Sequence, residues 1–228
     1  MSPDRRSGPD ADDVERVMQR FVRDFPDAVL IGGWASYLRT RTAKSHDIDV
    51  IVDHATLSRL RSKYELSPSN HVSGRKFEAV VEGVDVDVYP VYQSKLGRRL
   101  RVPVEVLIDS TERIDGARVL TAEAQFVAKM AALLDRPDSL PGEKDRSELL
   151  SLASAAEPLD FVRIAAILRR AGWGDAYVSD LLRETLDLLE ETPGLTKSGR
   201  SKLRTRRSRA LGTLEERDLE GRELDLER

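Results

Sequence analysis

The sequence contains no cysteine, which excludes a disulfide scaffold, a thiolate metal site and a Cys nucleophile. It has three histidines, His46, His54 and His71, too few and too scattered for the ligand set of a zinc hydrolase. No apolar run approaches the roughly 18 residues of a membrane span. No apolar segment that could act as a secretory signal follows Met1–Arg6, so the expected setting is cytoplasmic, with no membrane partner. Neither sign of charge dominates: Lys+Arg 37 against Asp+Glu 40 leaves a net charge of −3 over 228 residues. Any contact with a polyanion must therefore come from a local patch. What remains, 40% hydrophobic and 34% charged residues, suits a globular protein with a strongly charged surface. The length allows one large domain or two small ones.

Residues 1–10 are polar, carry two prolines and read as a disordered start. From Asp12 onward, Val14, Val17, Met18, Phe21, Val22 and Phe25 fall on one helical face. A short apolar run, Ala28–Ile31, leads into Gly32-Gly33 and a helix start at Trp34–Leu38. Strands are expected at Ile48–Val52, Phe77–Val81, Val84–Val91 and Val104–Ile108, the middle two joined as a hairpin at Glu82-Gly83. A helix is expected over Thr56–Lys63 and a loop over Ser67–Asn70. Beyond Leu120 no strand pattern occurs. Helices are expected over Ala122–Leu134, Lys144–Ala156, Leu159–Arg170 and Val178–Glu190, with a Pro/Gly/Asp stretch at Arg136–Gly142. The fold class is thus α/β (α+β): a core with a small mixed sheet over residues 11–120 and a helical region over 121–195. A charged tail or helix follows over 196–228.

Three features carry chemistry. Gly32-Gly33 between a strand and a helix lets the backbone approach a phosphate closely, although Gly-Gly is also an ordinary turn. In Asp47-Ile48-Asp49-Val50 the period of two puts both acids on one face. Like charges side by side weaken a sheet; they become useful if they hold Mg²⁺, which takes one or two carboxylates plus substrate phosphate. Val84-Asp85-Val86-Asp87-Val88 repeats the pattern. If the two strands are neighbours, three or four carboxylates converge, as in sites that hold two cations ~3.5–4 Å apart for in-line phosphoryl displacement.

Gly32-Gly33-Trp34-Ala35, Lys44-Ser45-His46-Asp47-Ile48-Asp49 and Val86-Asp87-Val88 together resemble the polymerase β-like nucleotidyltransferase superfamily. More narrowly they resemble the AbiEii-type enzymes, toxins of type IV toxin–antitoxin pairs. Those carry Arg-Thr before the Asp-x-Asp, where this chain has Lys44-Ser45. They also have a Lys within a later helix and a Lys-Asp-x-x-Asp motif on the next; Lys129 and Lys144-Asp145-x-x-Glu148 stand in those places. The resemblance spans about residues 28–155. It implies a polymerase β-like core and transfer of a nucleoside monophosphate from a triphosphate such as ATP to an acceptor hydroxyl. Asp47, Asp49 and Asp87 would hold one or two Mg²⁺ ions, with Mn²⁺ able to substitute and Asp85 as the alternate third carboxylate. Asp87 would also be the general base. Gly32, Gly33, Lys44 and Ser45 would contact the nucleotide and Lys129 its phosphates, and Asp145 would either support these groups or contact the nucleotide itself. The implied acceptor is RNA, a tRNA 3′ end, and the implied partner an antitoxin protein.

Other readings of the same residues stand beside this one. A small-molecule acceptor such as an aminoglycoside would call for an acidic pocket; a protein acceptor or a nucleotide-binding module without catalysis would use the same strands. Lys129 can be a surface lysine, and Trp34 and Trp173 packing residues. Tyr89 and Tyr92, just past the third carboxylate, either flank a base or pack. The basic run Lys197–Arg209 has no interleaved aromatics. It is either a solvated face or a phosphate-backbone contact.

Overall fold

The first helix forms where the apolar stripe lies. In the computed structural model, which describes residues 10–41, 43–69, 74–155 and 157–226, α1 (Ala11–Asp24) buries Val14, Val17, Met18, Phe21 and Val22. Asp10 caps it by accepting the N–H groups of Asp12 and Asp13, satisfying donors that the first turn leaves without partners. The polar start at residues 1–9, together with Asn70, His71, Ala156 and residues 227–228, lies outside the described residues.

The chain divides into two compact units, Met1–Lys95 with Pro103–Thr121 and Leu96–Val102 with Ala122–Arg228. After α1 the first unit continues through β1 (Val29–Ile31), α2 (Gly32–Thr40), β2 (Asp47–Val52), α3 (His54–Lys63) and β3 (Ser67–Ser69). Then come β4 (Lys76–Val81), β5 (Val84–Pro90), β8 (Thr111–Ile114) and β9 (Ala117–Leu120). These strands form one seven-stranded mixed sheet in the order β3-β4-β5-β2-β1-β9-β8, larger than the small sheet expected. Strand β2 runs parallel to β5 and β1 parallel to β9, and the other pairs are antiparallel. Two short strands, β6 (Lys95–Leu96) and β7 (Val102–Pro103), pair separately.

One sheet face is the core. Ile48, Val50, Val52, Phe77, Ala79, Val81, Val84, Val86 and Val88 pack there against Trp34 and Leu38 of α2, Leu57 and Leu60 of α3, and the apolar face of α1. Alternation then puts Asp47, Asp49, Lys76, Glu78, Asp85, Asp87 and Tyr89 on the opposite face.

Four features of the structure differ from these expectations or go beyond them. Ser67–Ser69, expected as loop, is an edge strand on β4, where Pro68 is tolerated because an edge needs no second ladder. Val104–Val106 is a 3₁₀ turn and not a strand; its three-residue period buries both Val104 and Leu107 completely. The hairpin β8–β9 was not anticipated, although its Asp115-Gly116 turn has φ values of 50° and 83°, the left-handed pair that Asp-Gly favours. Helix α5 (Leu140–Ser154) starts four residues before Lys144. Ser139 caps the N–H of Gly142, and Pro141 sits in the first turn, where a missing N–H costs nothing.

The second unit is helical: α4 (Ala122–Asp135), α5, α6 (Phe161–Arg170), α7 (Asp175–Glu190) and α8 (Lys197–Leu226). Helix α4 packs on α5, α6 and α7, and α8 packs on α6 and α7. A mixed sheet with helices, followed by a helical region, is the α/β class expected. Among the described residues no helix is long and apolar enough to cross a membrane.

Trp34 is fully buried at 0% exposure, and among the described residues its Nε1 has no hydrogen-bond partner. Trp34→Ala is expected to lower the urea unfolding free energy by about 3–5 kcal/mol. Trp34→Phe should stay within about 1 kcal/mol, because losing ring volume is offset by losing an unsatisfied N–H.

Candidate functional site

The turn from β1 into α2 and the pairing of β2 with β5 build the site. Gly32 has φ of 65°, a left-handed conformation that favours glycine. A Cβ there would also fall inside the Asp49 carboxylate. The Gly32 backbone therefore lies directly on Asp49, a closeness that no other residue permits. Gly33 is buried in the first turn of α2. In the parallel register of β2 and β5, Asp47 stands beside Asp85 and Asp49 beside Asp87.

Four like charges on two adjacent strands need compensation, and Lys76 on β4 supplies part of it. Its Nζ lies 2.8 Å from Asp87 Oδ2 and 3.1 Å from Glu78 Oε1, with the side chain only 9% exposed. Burial opposes the Lys76 charge, but the hydrogen bonds and attraction of Asp87 and Glu78 outweigh it and hold the ammonium above its ordinary value. Burial pushes the Asp87 carboxyl up; Lys76 pulls it down, and the negative charges of Glu78 and Asp47 add to the rise. Tyr89 points at Asp49, its hydroxyl 3.5 Å from Oδ1. Burial, with the charges of Asp49, Asp87 and Asp47 around it, pushes the phenol well above its usual range, so it stays a neutral donor.

Ser45 is buried and donates to Asp47 Oδ1 at 2.5 Å, so it orients a carboxylate. Lys44 faces α1, with Nζ 2.5 Å from Asp12 Oδ1 and 2.6 Å from Glu15 Oε2. Hydrogen bonds to both carboxylates raise it above the ordinary lysine value. Asp85 is exposed, whereas Asp87 is half-buried, and Asp87 is the one beside Asp49. Among the described residues no three His, Cys, Asp or Glu side chains are grouped to hold a metal ion. The Asp47 and Asp49 oxygens on one strand face still match Mg²⁺ bound by one or two carboxylates plus phosphate, whereas Asp87 is paired with Lys76. Beside Asp47 and Asp87 lies a cavity of ≈ 660 Å³, lined also by Glu65, Glu78, Asp85 and, among the described residues, one ammonium, Lys76; Asp49 does not line it.

In the helical unit, Lys129 and Asp145 also meet, joined by Glu148. Lys129 Nζ lies 3.1 Å from Asp145 Oδ1 and 2.6 Å from Glu148 Oε2, and Arg136 pairs with Asp145 at 2.7 Å. All three members of the Lys129 group are buried. Burial disfavours the Lys129 ammonium, yet the charges of Glu148 and Asp145 hold it above its ordinary value. The basic run on α8 is partly tied down: Arg204 and Arg207 pair with Glu190, Arg207 with Asp187, and Arg206 donates to the Ala153 and Ala155 carbonyls.

Sequence reasoning missed Lys76, Glu78 and Glu65 and left Tyr89 undecided. The Glu82-Gly83 turn held the signal for two of them. Both residues have positive φ, so the hairpin is the two-residue kind that fixes register. That register sets Glu78 opposite Asp87, with Lys76 two residues along the same face.

The chain matches no protein-family model and no curated protein. It is similar to solved structures at low identity. JHP933 from Helicobacter pylori aligns with a TM-score of 0.48 and 16% identity over 96% of this chain and 100% of that one. A candidate nucleotidyltransferase from H. pylori aligns at 0.47 and 17% identity over 90% and 96%, and one from Thermotoga maritima at 0.45 and 15% over 60% and 96%.

Two outcomes are expected. Because the folded Asp87 carboxyl is raised, its contribution to stability is present at acid pH and lost as pH rises through the raised value. The melting temperature of the wild type relative to Asp87→Asn should therefore fall as pH rises above the ordinary carboxylate value of about 4; a relative rise would contradict the burial. Lys129→Met would leave Asp145 and Glu148 buried against less positive charge, and should cost about 3–5 kcal/mol in urea unfolding.

Proposed function

We propose that this chain transfers a nucleoside monophosphate from a nucleoside triphosphate to an acceptor hydroxyl, which attacks the α-phosphate and releases pyrophosphate, with a 3′ end of RNA such as tRNA as the acceptor. The observation that carries this is the parallel register that sets Asp49 beside Asp87 while Gly32 lies on the Asp49 carboxylate. Asp47, oriented by Ser45, and Asp49, contacted by Tyr89, would hold Mg²⁺ or Mn²⁺. When bound, that ion polarises the α-phosphate and draws the triphosphate to the strand face. The Gly32-Gly33 turn brings backbone close to this face without a side chain, leaving room for phosphate oxygens. Asp87, raised by burial, suits removal of the acceptor hydroxyl proton, since a base works best when its pKa approaches the working pH. Lys76 beside it limits the charge that the triphosphate must overcome. A role for Lys129 at the phosphates, with Asp145 supporting it, is implied by the resemblance of the helix motifs; within the helical unit Lys129 is held by Asp145 and Glu148. A toxin role with an antitoxin partner is supported by the resemblance of the Asp47-x-Asp49 and Lys144-Asp145 motifs.

A second acceptor is favoured by one observation. The five carboxylates of the ≈ 660 Å³ cavity suit a small polycation, an aminoglycoside-like polyamine, better than a phosphate backbone. The two acceptors separate in one assay. Purified protein, Mg²⁺ and each radiolabelled nucleoside triphosphate are incubated with total RNA or with a polyamine sugar, and the labelled product is separated. Label in RNA supports the first acceptor, and label in the polyamine supports the second. In either case Asp49→Asn should reduce transfer to background with an unchanged melting curve, and Gly32→Ala should lower it by more than about tenfold. The alanine both displaces Asp49 and adopts a conformation costing about 1–2 kcal/mol. Full transfer by folded Asp49→Asn would sink the mechanism.

A further inference from the structure

The helical unit carries an arginine-bearing turn beside a pair of stacked rings that the nucleotidyl-transfer site does not use. Trp173 and Tyr177 lie face to face, ring centroids 4.9 Å apart and planes 12° from parallel. Trp173 is half-buried, whereas Tyr177 is 44% exposed. Tyr177 stacks on Trp173 and still exposes 44% of its surface, a large aromatic area open to solvent.

The turn Gly97–Arg101 is held against this stack. Gly97 has φ of 72°, and a Cβ on it would strike the Leu100 carbonyl. Leu100 is fully buried and anchors the turn. Asp135 accepts the backbone N–H groups of Arg98 and Arg99 at 2.7 and 2.9 Å. Trp173 Nε1 donates to the Arg101 carbonyl at 3.2 Å. Arg99 makes two bonds of 2.5 Å to Glu184 and also interacts with the Tyr177 hydroxyl. The turn is thus rigid at its backbone, and its charged side chains are left on the surface. Arg98 and Arg101 are exposed, and among the described residues neither guanidinium has an acidic partner. Arg169 and Arg170, in the last turn of α6, precede Trp173 by a few residues; Asp175 pairs with Arg169.

We propose that this surface binds single-stranded RNA, an unpaired base stacking on the Trp173–Tyr177 pair while Arg98 and Arg101 contact phosphates. The proposal rests on the RNA acceptor put forward above and adds where the helical unit holds it. Aromatic platforms beside arginines bind single strands because every base offers a flat face while phosphates attract the cations. Guanidinium forks also match phosphate oxygens in geometry. The basic run on α8, by contrast, uses Arg204, Arg206 and Arg207 within the protein.

The chain contains two tryptophans, and Trp34 is wholly buried, so fluorescence can report on Trp173. A short fluorescein-labelled single-stranded RNA is titrated with full-length protein, without nucleotide or divalent ion, at several salt concentrations. Anisotropy should show saturable, salt-sensitive binding, and unlabelled RNA should quench tryptophan emission in Trp34→Phe but not in Trp173→Leu. Tyr177→Ala should weaken binding about tenfold. Arg98→Glu with Arg101→Glu should weaken it by more than tenfold and lower the salt slope by about 1.4, the value for two phosphates of a single strand. Unchanged affinity and slope in these exposed-residue variants would overturn the proposal. So would equally tight binding of a labelled poly-glutamate peptide, which would mark a protein contact. Transfer to RNA that depends on Asp49 yet is unaffected in the arginine variants would remove this surface while leaving the RNA acceptor. RNA binding lost in the variants, with no label ever transferred to RNA, would keep this surface and remove the acceptor.

Discussion

Two aspartate-bearing strands lie side by side, in parallel, with their acids in register. Every part of the site answers to that constraint. Core packing of Ile48, Val50, Val86 and Val88 drives β2 and β5 together, and their alternation then forces Asp47, Asp49, Asp85 and Asp87 onto one face. Such a face repels itself unless positive charge or polar donors reach it. Lys76 from the next strand, Ser45 from the loop before β2 and Tyr89 from β5 itself are the groups that do. The same crowding explains Gly32: its turn closes on Asp49 so tightly that only a residue without a Cβ fits.

The two charged clusters of this chain solve the problem differently. In the helical unit, Asp145 and Glu148 are enclosed with Lys129, and Arg136 adds a second cation, so charge is nearly balanced in a closed space. Such a cluster costs desolvation and holds helices α4 and α5 in one arrangement. The cleft on the sheet is open and keeps an excess of carboxylates over its one lysine. Uncompensated negative charge facing an open cavity is poorly suited to structural duty and well suited to attracting cations. That asymmetry separates a cluster that binds helices to each other from one able to bind a ligand.

Positive charge is distributed just as unevenly. The arginines of α8 that are most conspicuous in the sequence are committed to Glu190, Asp187 and backbone carbonyls. In the Gly97–Arg101 turn, where three arginines fall within four positions, Arg99 pairs with Glu184 while Arg98 and Arg101 are exposed on a backbone held by Asp135, next to two stacked rings. Local density of charge along the chain is therefore an incomplete guide to where a polyanion would meet it, because intramolecular pairing engages Arg204, Arg206 and Arg207 of the α8 run.

Local pattern by itself determined the strands that carry the aspartates, the glycine turn, the hairpin at Glu82-Gly83 and most of the helices, since periodicity and turn chemistry act between near neighbours. It also placed Asp47 and Asp49 on one face. Only the tertiary structure decided that β2 pairs with β5 in parallel, because that pairing joins residues some forty apart through shared core packing. It likewise decided between Asp85 and Asp87 as the neighbour of Asp49. Partners fixed in space brought in Lys76, turned Lys44 toward α1, and enclosed Lys129 with Asp145 and Glu148. The edge strand at Ser67–Ser69 and the 3₁₀ turn at Val104–Val106 stayed illegible for the same reason. Their conformations follow from what they pack against, which short-range sequence does not contain.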